Sequence, residues 1–391
     1  MNRRRTEPEF PKTADVVIIG AGVIGASIAY QLAKRRVSAV VLEKGDPACG
    51  SSAACGGAIF LQSKSPGTHL KLALESAGYF PQLADELEVD IEYHQSGGMI
   101  LIENEDQYRI IASSVEKQRA AGLQVDLLDT RQARTLEPAL TEAVIGAAYC
   151  PTDAQVNPMR LTLALLHGAR NLGARLFSRT AVVGLQQASG RVTAVKTVQG
   201  DIRTDVVVNA AGVYAPQIGE MAGVKVAIRP RRGQLMVTEA VSPLVGRCML
   251  SAQYICAKFN PELAASGGGG ISLEQTQNGN FVLGSTREFV GFDRGTTCAA
   301  MQAIAAQITR LIPALKYIRI IRVFAGLRPF TSHGLPNLGR ISGLNGFIMA
   351  AGHEGDGITL SPITGKLIAD LIVDGHSDIS LDEFRTQRSD S

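Results

Sequence analysis

Residues 15–45, DVVIIGAGVIGASIAYQLAKRRVSAVVLEKG, leave the chain little freedom of fold. Val16 to Ile19 is an unbroken apolar run, the pattern of a parallel strand covered on both faces. Gly20, Gly22 and Gly25 follow as G-x-G-x-x-G, and Ile24, Ile28 and Leu32 then recur every four residues along one helix face. Val40 to Leu42 reads as a second apolar strand, closed by Glu43 and Lys44. Each part has a task in holding the ADP half of a dinucleotide. Gly20 turns the chain sharply, Gly22 leaves room for a pyrophosphate, and Gly25 lets helix and strand approach. The helix start at Val23 and Ile24 offers free N–H groups to the phosphates. Glu43 can accept hydrogen bonds from ribose hydroxyls, and its charge disfavours a 2′-phosphate. A lone G-x-G-x-x-G could mark a structural turn, whereas the complete strand–turn–helix–strand–acid unit is specific. It does not separate NAD from FAD.

The totals set further bounds. A chain of 391 residues, 45% hydrophobic and 19% charged, suggests two globular domains. The net charge of +3 gives no argument for nucleic acid or an acidic membrane. Arg3-Arg4-Arg5 reads as a solvated terminus, and no apolar segment follows closely enough to make a secretory signal. Residues 16–33 are apolar enough to imitate a membrane span, but their glycines and change of period argue for a buried strand and helix. Cys49, Cys55, Cys150, Cys248, Cys256 and Cys298 form no C-x-x-C pair and no zinc spacing, so no metal site is expected and a reducing cytoplasm is the plain reading.

After the second strand, GDPACGSSAACGGAIF (residues 45–60) is small and glycine-rich. Ser51, Ser52, Gly56 and Gly57 either line an extended cofactor or form a simple connecting loop. Residues 98–103 read as a strand, and Asn157-Pro158 opens a helix. Strands joined by turns then lead to Ala211-Gly212, with Val182 in one of them; its backbone could edge an adenine, although a β-meander needs no ligand to exist. Residues 230–290 alternate as antiparallel strands, with Asn278-Gly279 a hairpin turn and Gly267 to Gly270 a lid or a linker. TCAAMQAIAAQITRLIPAL reads as a helix. Finally AGHEGDGITLSPITG, residues 351–365, repeats the theme of the beginning: Gly352, Gly355 and Gly357 precede a helix start. The expected architecture is α/β: a Rossmann-like binding domain built from residues 14–75, 145–222 and 322–388. An α+β substrate domain, residues 76–144 and 223–321, is inserted around an antiparallel sheet, and residues 1–13 form an N-terminal arm.

In this order, GAGVIG with Glu43, VVVNAAGVYAP, PRRGQ, GLRP and AGHEGDGITLSPITG resemble the D-amino-acid oxidase superfamily of FAD enzymes, which includes glycine and sarcosine oxidases. The resemblance runs nearly end to end. It implies non-covalent FAD, its pyrophosphate at the first glycine cluster and its isoalloxazine at the last. Cofactor contacts would then include Ala210, Gly212, Gly326, Gly352, Gly355, Asp356, Gly357, Ile358 and Thr359. The N–H groups of the last three would face the flavin edge that turns negative on reduction, as in an oxyanion hole. Arg328 would bind the substrate carboxylate through two parallel hydrogen bonds and orient its Cα–H toward flavin N5. His353 beside the motif either hydrogen-bonds the ring or packs. No dedicated catalytic base is required if the site holds the amine neutral.

Within the superfamily, GISLEQTQNGNFVLGSTREFVGFD resembles β subunits of multi-subunit opine, proline and D-hydroxyproline dehydrogenases and the related hydrogen cyanide synthase subunit. The resemblance implies oxidation of a secondary or D-amino acid and partner subunits that carry electrons away, one with an iron–sulfur centre, with an interfacial FMN in some complexes. An opine has two carboxylates and wants a second cation, for which Arg231, Arg232 and Arg287 are candidates; Glu274 or Glu288 could receive a guanidinium. A free-standing oxidase that uses oxygen, a non-catalytic FAD scaffold and an NAD enzyme are the competing readings.

Overall fold

The apolar run at the start becomes the middle of a sheet. Val16–Ile19 is fully buried and pairs in parallel with Ala39–Leu42 on one side and Val207–Asn209 on the other. The structure, a computed structural model, describes residues 9–259 and 270–385. Arg3–Arg5 and Gly267–Gly269 therefore lie outside the described residues. From one edge to the other the first sheet runs Gly200–Arg203, Arg191–Thr197, Leu344–Ala351, Val207–Asn209, Val16–Ile19, Ala39–Leu42 and Arg175–Phe177. Val182–Ala188 and Asn337–Ile341 pair beside this path. Strands from three distant parts of the chain thus share one sheet, as expected from the separated segments.

Leu344–Ala351, Val207–Asn209, Val16–Ile19 and Ala39–Leu42 are successive parallel neighbours, so their carboxyl ends open on one side. The residues that leave those ends are Gly20, Glu43, Ala210 and Gly352. That is the edge where an open parallel sheet binds ligands.

Two helices cover one face. Val23–Lys34 follows the first strand, and Gly357–Val373 follows the last. They pack closely because Gly365 has no side chain: a Cβ there would lie 2.2 Å from Ser27 Oγ. Further along, Arg35 binds Asp370 at 2.9 Å and Asp374 at 2.6 Å. Contacts 27-to-365 and 35-to-370 and 374 advance together, so the helices run in the same direction and both begin at the same end. Arg35 also offsets two carboxylates at a helix C-terminus, where negative charge is unfavourable.

The second sheet runs Ile320–Phe330, Arg229–Ala240, Asn280–Gly284, Ser272–Gln275, Cys248–Ser251, Gly98–Ile102, Gly146–Cys150 and Asp126–Asp129. Its pairs are antiparallel except Cys248–Ser251 with Gly98–Ile102. Asn278-Gly279 makes the expected hairpin turn, with Gly279 at φ +86. Cys298–Leu311 is the expected helix, capped by Thr297. Gly146–Cys150 and much of Ile320–Phe330 were expected in the binding domain, yet both strands complete the second sheet. Their partners are more than forty residues away in sequence or in another segment, so local patterning carried no sign of which sheet they join. Among the described residues, no helix is long and apolar enough to cross a membrane.

Candidate active site

The first turn admits only glycine. Gly20 has φ +110, and a Cβ there would lie 2.6 Å from the Ala210 carbonyl oxygen; one on Gly25 would lie 2.0 Å from the Gly20 carbonyl oxygen. The helix that follows has no side-chain cap from Gly22, and Val23 N–H donates to Ser52 Oγ at 3.0 Å. At the end of the second strand, Glu43 Oε2 accepts from Ala21 N–H at 2.9 Å and Oε1 from Gly45 N–H at 2.8 Å. These bonds fix the carboxylate and leave lone pairs for a ligand. Lys44 lies over the Tyr214 ring, its Nζ 2.9 Å from the centroid.

The last glycine cluster closes the other end. The helix Gly357–Val373 begins without a side-chain cap. Asp356, just before it, is committed elsewhere: Lys64 Nζ reaches its Oδ1 at 2.7 Å and His69 Nε2 its Oδ2 at 3.2 Å. Lys64 also donates to the Phe60 carbonyl and Ser63 Oγ. A buried carboxylate beside a helix start is favourable to the dipole, and the ammonium compensates its charge.

Both helix starts, Glu43, Ser51, Ser52 and Val182 line one cavity. Two helix starts without capping side chains and a tethered carboxylate, all lining one cavity, with open space at Gly212, fit FAD bound along its length.

Of the residues singled out from sequence, Gly20, Gly22, Val23, Ile24, Glu43, Lys44, Ser51, Ser52, Gly56, Val182, Ala210 and Gly212 line this cavity. So do Gly326, Arg328, Gly352, His353, Gly355, Asp356, Gly357 and Ile358. Gly25, Gly57 and Thr359 do not. Gly25 and Gly57 serve packing instead, since a Cβ on Gly57 would lie 1.8 Å from the Val156 carbonyl oxygen. Thr359 is buried in the helix, and its carbonyl accepts from Ser76 Oγ.

Arg328 pairs with Arg231 in the long strand pair, and its guanidinium lies over Gly233, where a Cβ would collide with it. Its Nη1 donates to the Thr286 carbonyl at 2.9 Å and its Nη2 to Ser285 Oγ at 2.6 Å. Glu354 is 3.9 Å from its Nε. A guanidinium has five N–H donors, so the two hydrogen bonds hold the fork and leave others for a carboxylate. The three candidate second cations separate clearly. Arg231 is buried and pairs with Glu354. Arg232 pairs with Glu288 and Asp293. Only Arg287 of these three lines the cavity. Glu288 is thereby occupied, whereas Glu274 lines the cavity, accepts from Gly57 N–H at 2.7 Å and is pushed up to about 7 by burial. His353 is pulled down to about 3 by burial and bonds Thr364 Oγ1 at 3.1 Å, so its ring stays neutral near pH 7.

Lys64 and His69, both partners of Asp356, were not anticipated as part of the site. A single lysine between serines has no periodicity, and only the fold brings it to Asp356. Nothing in the local sequence distinguishes Arg287 from Arg231 and Arg232 either.

The family described as FAD dependent oxidoreductase (DAO) matches residues 15–371. The chain is 32% identical to glycine oxidase of Geobacillus kaustophilus, covering 92% of this chain and 92% of that protein. It is 30% identical to the hydrogen cyanide synthase subunit HcnC of Pseudomonas protegens, over 96% of each. Among solved structures, L-proline dehydrogenase from P. horikoshii superposes with a TM-score of 0.89 at 28% identity, covering 96% of this chain and 98% of that one.

Proposed function

The chain belongs to the family of FAD-dependent oxidoreductases, and on that premise we propose that it oxidises the C–N bond of a secondary or D-amino acid as the catalytic β subunit of a multi-subunit dehydrogenase. It is an FAD-dependent amino-acid oxidoreductase. FAD supplies the acceptor for a hydride leaving the substrate Cα. The rest of the work falls to the chain's own groups. The helix start at Gly22 to Ile24 holds the phosphates, Glu43 the ribose, and the start at Gly357 to Thr359 the ring end. Arg328 binds the substrate carboxylate and fixes the Cα–H in one orientation, which supplies much of the rate enhancement such a transfer needs. A cationic, buried surrounding lowers the pKa of the bound amine, so the reactive neutral form is held without a general base. His353, neutral and bonded to Thr364, positions the turn before the terminal helix and moves no proton.

The observation that carries this reading is the place of Arg328, a guanidinium on the cavity wall, beside Gly355, with donors to spare. Similarity to a subunit of a synthase supports assembly with partner subunits; in this reading they take the electrons, one through an iron–sulfur centre, with FMN at an interface. Similarity to glycine oxidase favours a second reading, a free-standing oxidase. One experiment separates them. The purified flavoprotein is mixed anaerobically with proline, sarcosine, D-amino acids and N-carboxyalkyl amino acids, and bleaching of the flavin is followed. Bleaching by none sinks oxidation of an amino-acid C–N bond. Where bleaching occurs, readmitted oxygen should restore the colour slowly and an artificial dye quickly; prompt peroxide formation would make the protein an oxidase. A non-catalytic FAD scaffold would keep full turnover of its complex after Arg328→Ala.

A further inference from the structure

Arg287 and Arg328 line the cavity beside the second sheet, Arg231 is buried near them, and Arg231 and Arg328 share one carboxylate, Glu354. Burial lowers the pKa of Arg231; Glu354 opposes that effect, and the charges of Arg328 and Arg287 add to it. Arg287 and Arg328 therefore both lie within electrostatic reach of Arg231. Glu354 is bonded to Arg231 and stands 3.9 Å from Arg328 Nε. Arg287 has no carboxylate partner among the described residues. Its guanidinium stacks over the Tyr254 ring at 3.9 Å, and Nη1 makes one long bond of 3.4 Å to the Tyr254 carbonyl. The residue is 7% exposed, and its buried Nε has no hydrogen-bond partner among the described residues. Glu274 is the buried acid on the same cavity wall, and its carboxyl is bonded to Gly57 N–H rather than to an arginine.

A buried guanidinium with an unmet donor is costly unless a ligand completes it. One substrate carboxylate answers Arg328 and leaves Arg287 unanswered. We propose that Arg287 and Arg328 form a two-cation seat, so that the substrate is an amine bearing two carboxylates, an N-carboxyalkyl amino acid. Arg328 takes the carboxylate on the carbon that is oxidised, and Arg287 takes the one on the far side of the nitrogen. Tyr254 holds the Arg287 plane fixed, so the second carboxylate is met by a rigid fork. This inference rests on the amino-acid reading above and selects one substrate class within it.

The test uses inert isosteres in which ether oxygen replaces the nitrogen, so binding is read without turnover. Diglycolate carries two carboxylates and methoxyacetate one. Each is titrated into the FAD-loaded protein, and Kd is taken from the perturbed flavin absorption. The wild-type protein should bind diglycolate about 10–100-fold more tightly, the range of one charge-assisted hydrogen-bonded pair. Arg287→Gln should collapse that ratio at least about tenfold, and Arg287→Lys should restore part of it because the charge returns without the fork. Retained FAD and an unaltered melting temperature show that each variant is folded. A wild-type ratio near one, or a ratio that survives Arg287→Gln, overturns the two-cation seat. Failure of the amino-acid reading would look different: a normal diglycolate preference with no bleaching by any amine.

Discussion

Arg328 is held by Ser285 and Thr286 before any substrate arrives, so its fork is pre-organised. Lysine keeps the charge and loses the planar pair of donors. Arg328→Lys should therefore lower kcat/KM by about 10²–10³-fold in steady-state assays, with FAD content retained. Glu274 offers a second check through pH. Its carboxyl rises from 4.5 to about 7 on burial. Between those values the unfolded chain has released the proton and the folded chain keeps it, so stability falls as pH rises through that window. Glu274→Gln should remove the fall, gaining about 3 kcal/mol over the parent by pH 8 and little near pH 4, as read from melting curves without substrate. Residue types that need only a local pattern, the glycines of both turns and Glu43, were legible in the sequence. Arg287, Arg231 and Arg232 were not separable there, because only pairing with Glu354, Glu288 and Asp293 tells them apart.

At the level of elements, the strand and helix patterns near the two glycine clusters were readable because each has its own period and is bounded by glycine. The contact between the helices Val23–Lys34 and Gly357–Val373 was not, since Gly365 gave no hint that Ser27 would press against it. A methyl group at Gly365 would meet both Ser27 Oγ and the Ser27 carbonyl oxygen, 2.2 and 2.8 Å away. Gly365→Ala should push the helices apart, cost about 1–3 kcal/mol in denaturant unfolding and weaken FAD retention, since both starts face the cavity. The buried pair Lys64–Asp356 tests the terminal helix from the other side. Lys64→Met removes the ammonium from a carboxylate at 8% exposure, leaving it to His69, and should cost about 3–5 kcal/mol by the same assay. Adding Asp356→Leu should recover much of that loss, because no uncompensated charge then remains.

For the whole molecule, one cavity joins the parallel sheet to the antiparallel one, and a ligand spanning it should bind the native state alone. At a thousandfold excess over Kd, FAD is worth about 4 kcal/mol. Stripping it should lower the melting temperature by several degrees and make melting depend on added FAD. The overall plan of separated segments around an insertion was legible because the glycine clusters sit at opposite ends of the chain. Membership of Gly146–Cys150 and Ile320–Phe330 in the second sheet was hidden, since pairing between distant strands leaves no mark in either strand alone.

The two parallel helix starts have a consequence for biogenesis. At about 5–20 residues per second, a ribosome takes roughly 20–70 s to travel from Gly22 to Gly357. Throughout that interval the nascent chain can offer a dinucleotide only half of its grip. Flavin loading is thus deferred until translation is nearly finished, and a ribosome that stalls before the last helix releases a colourless product.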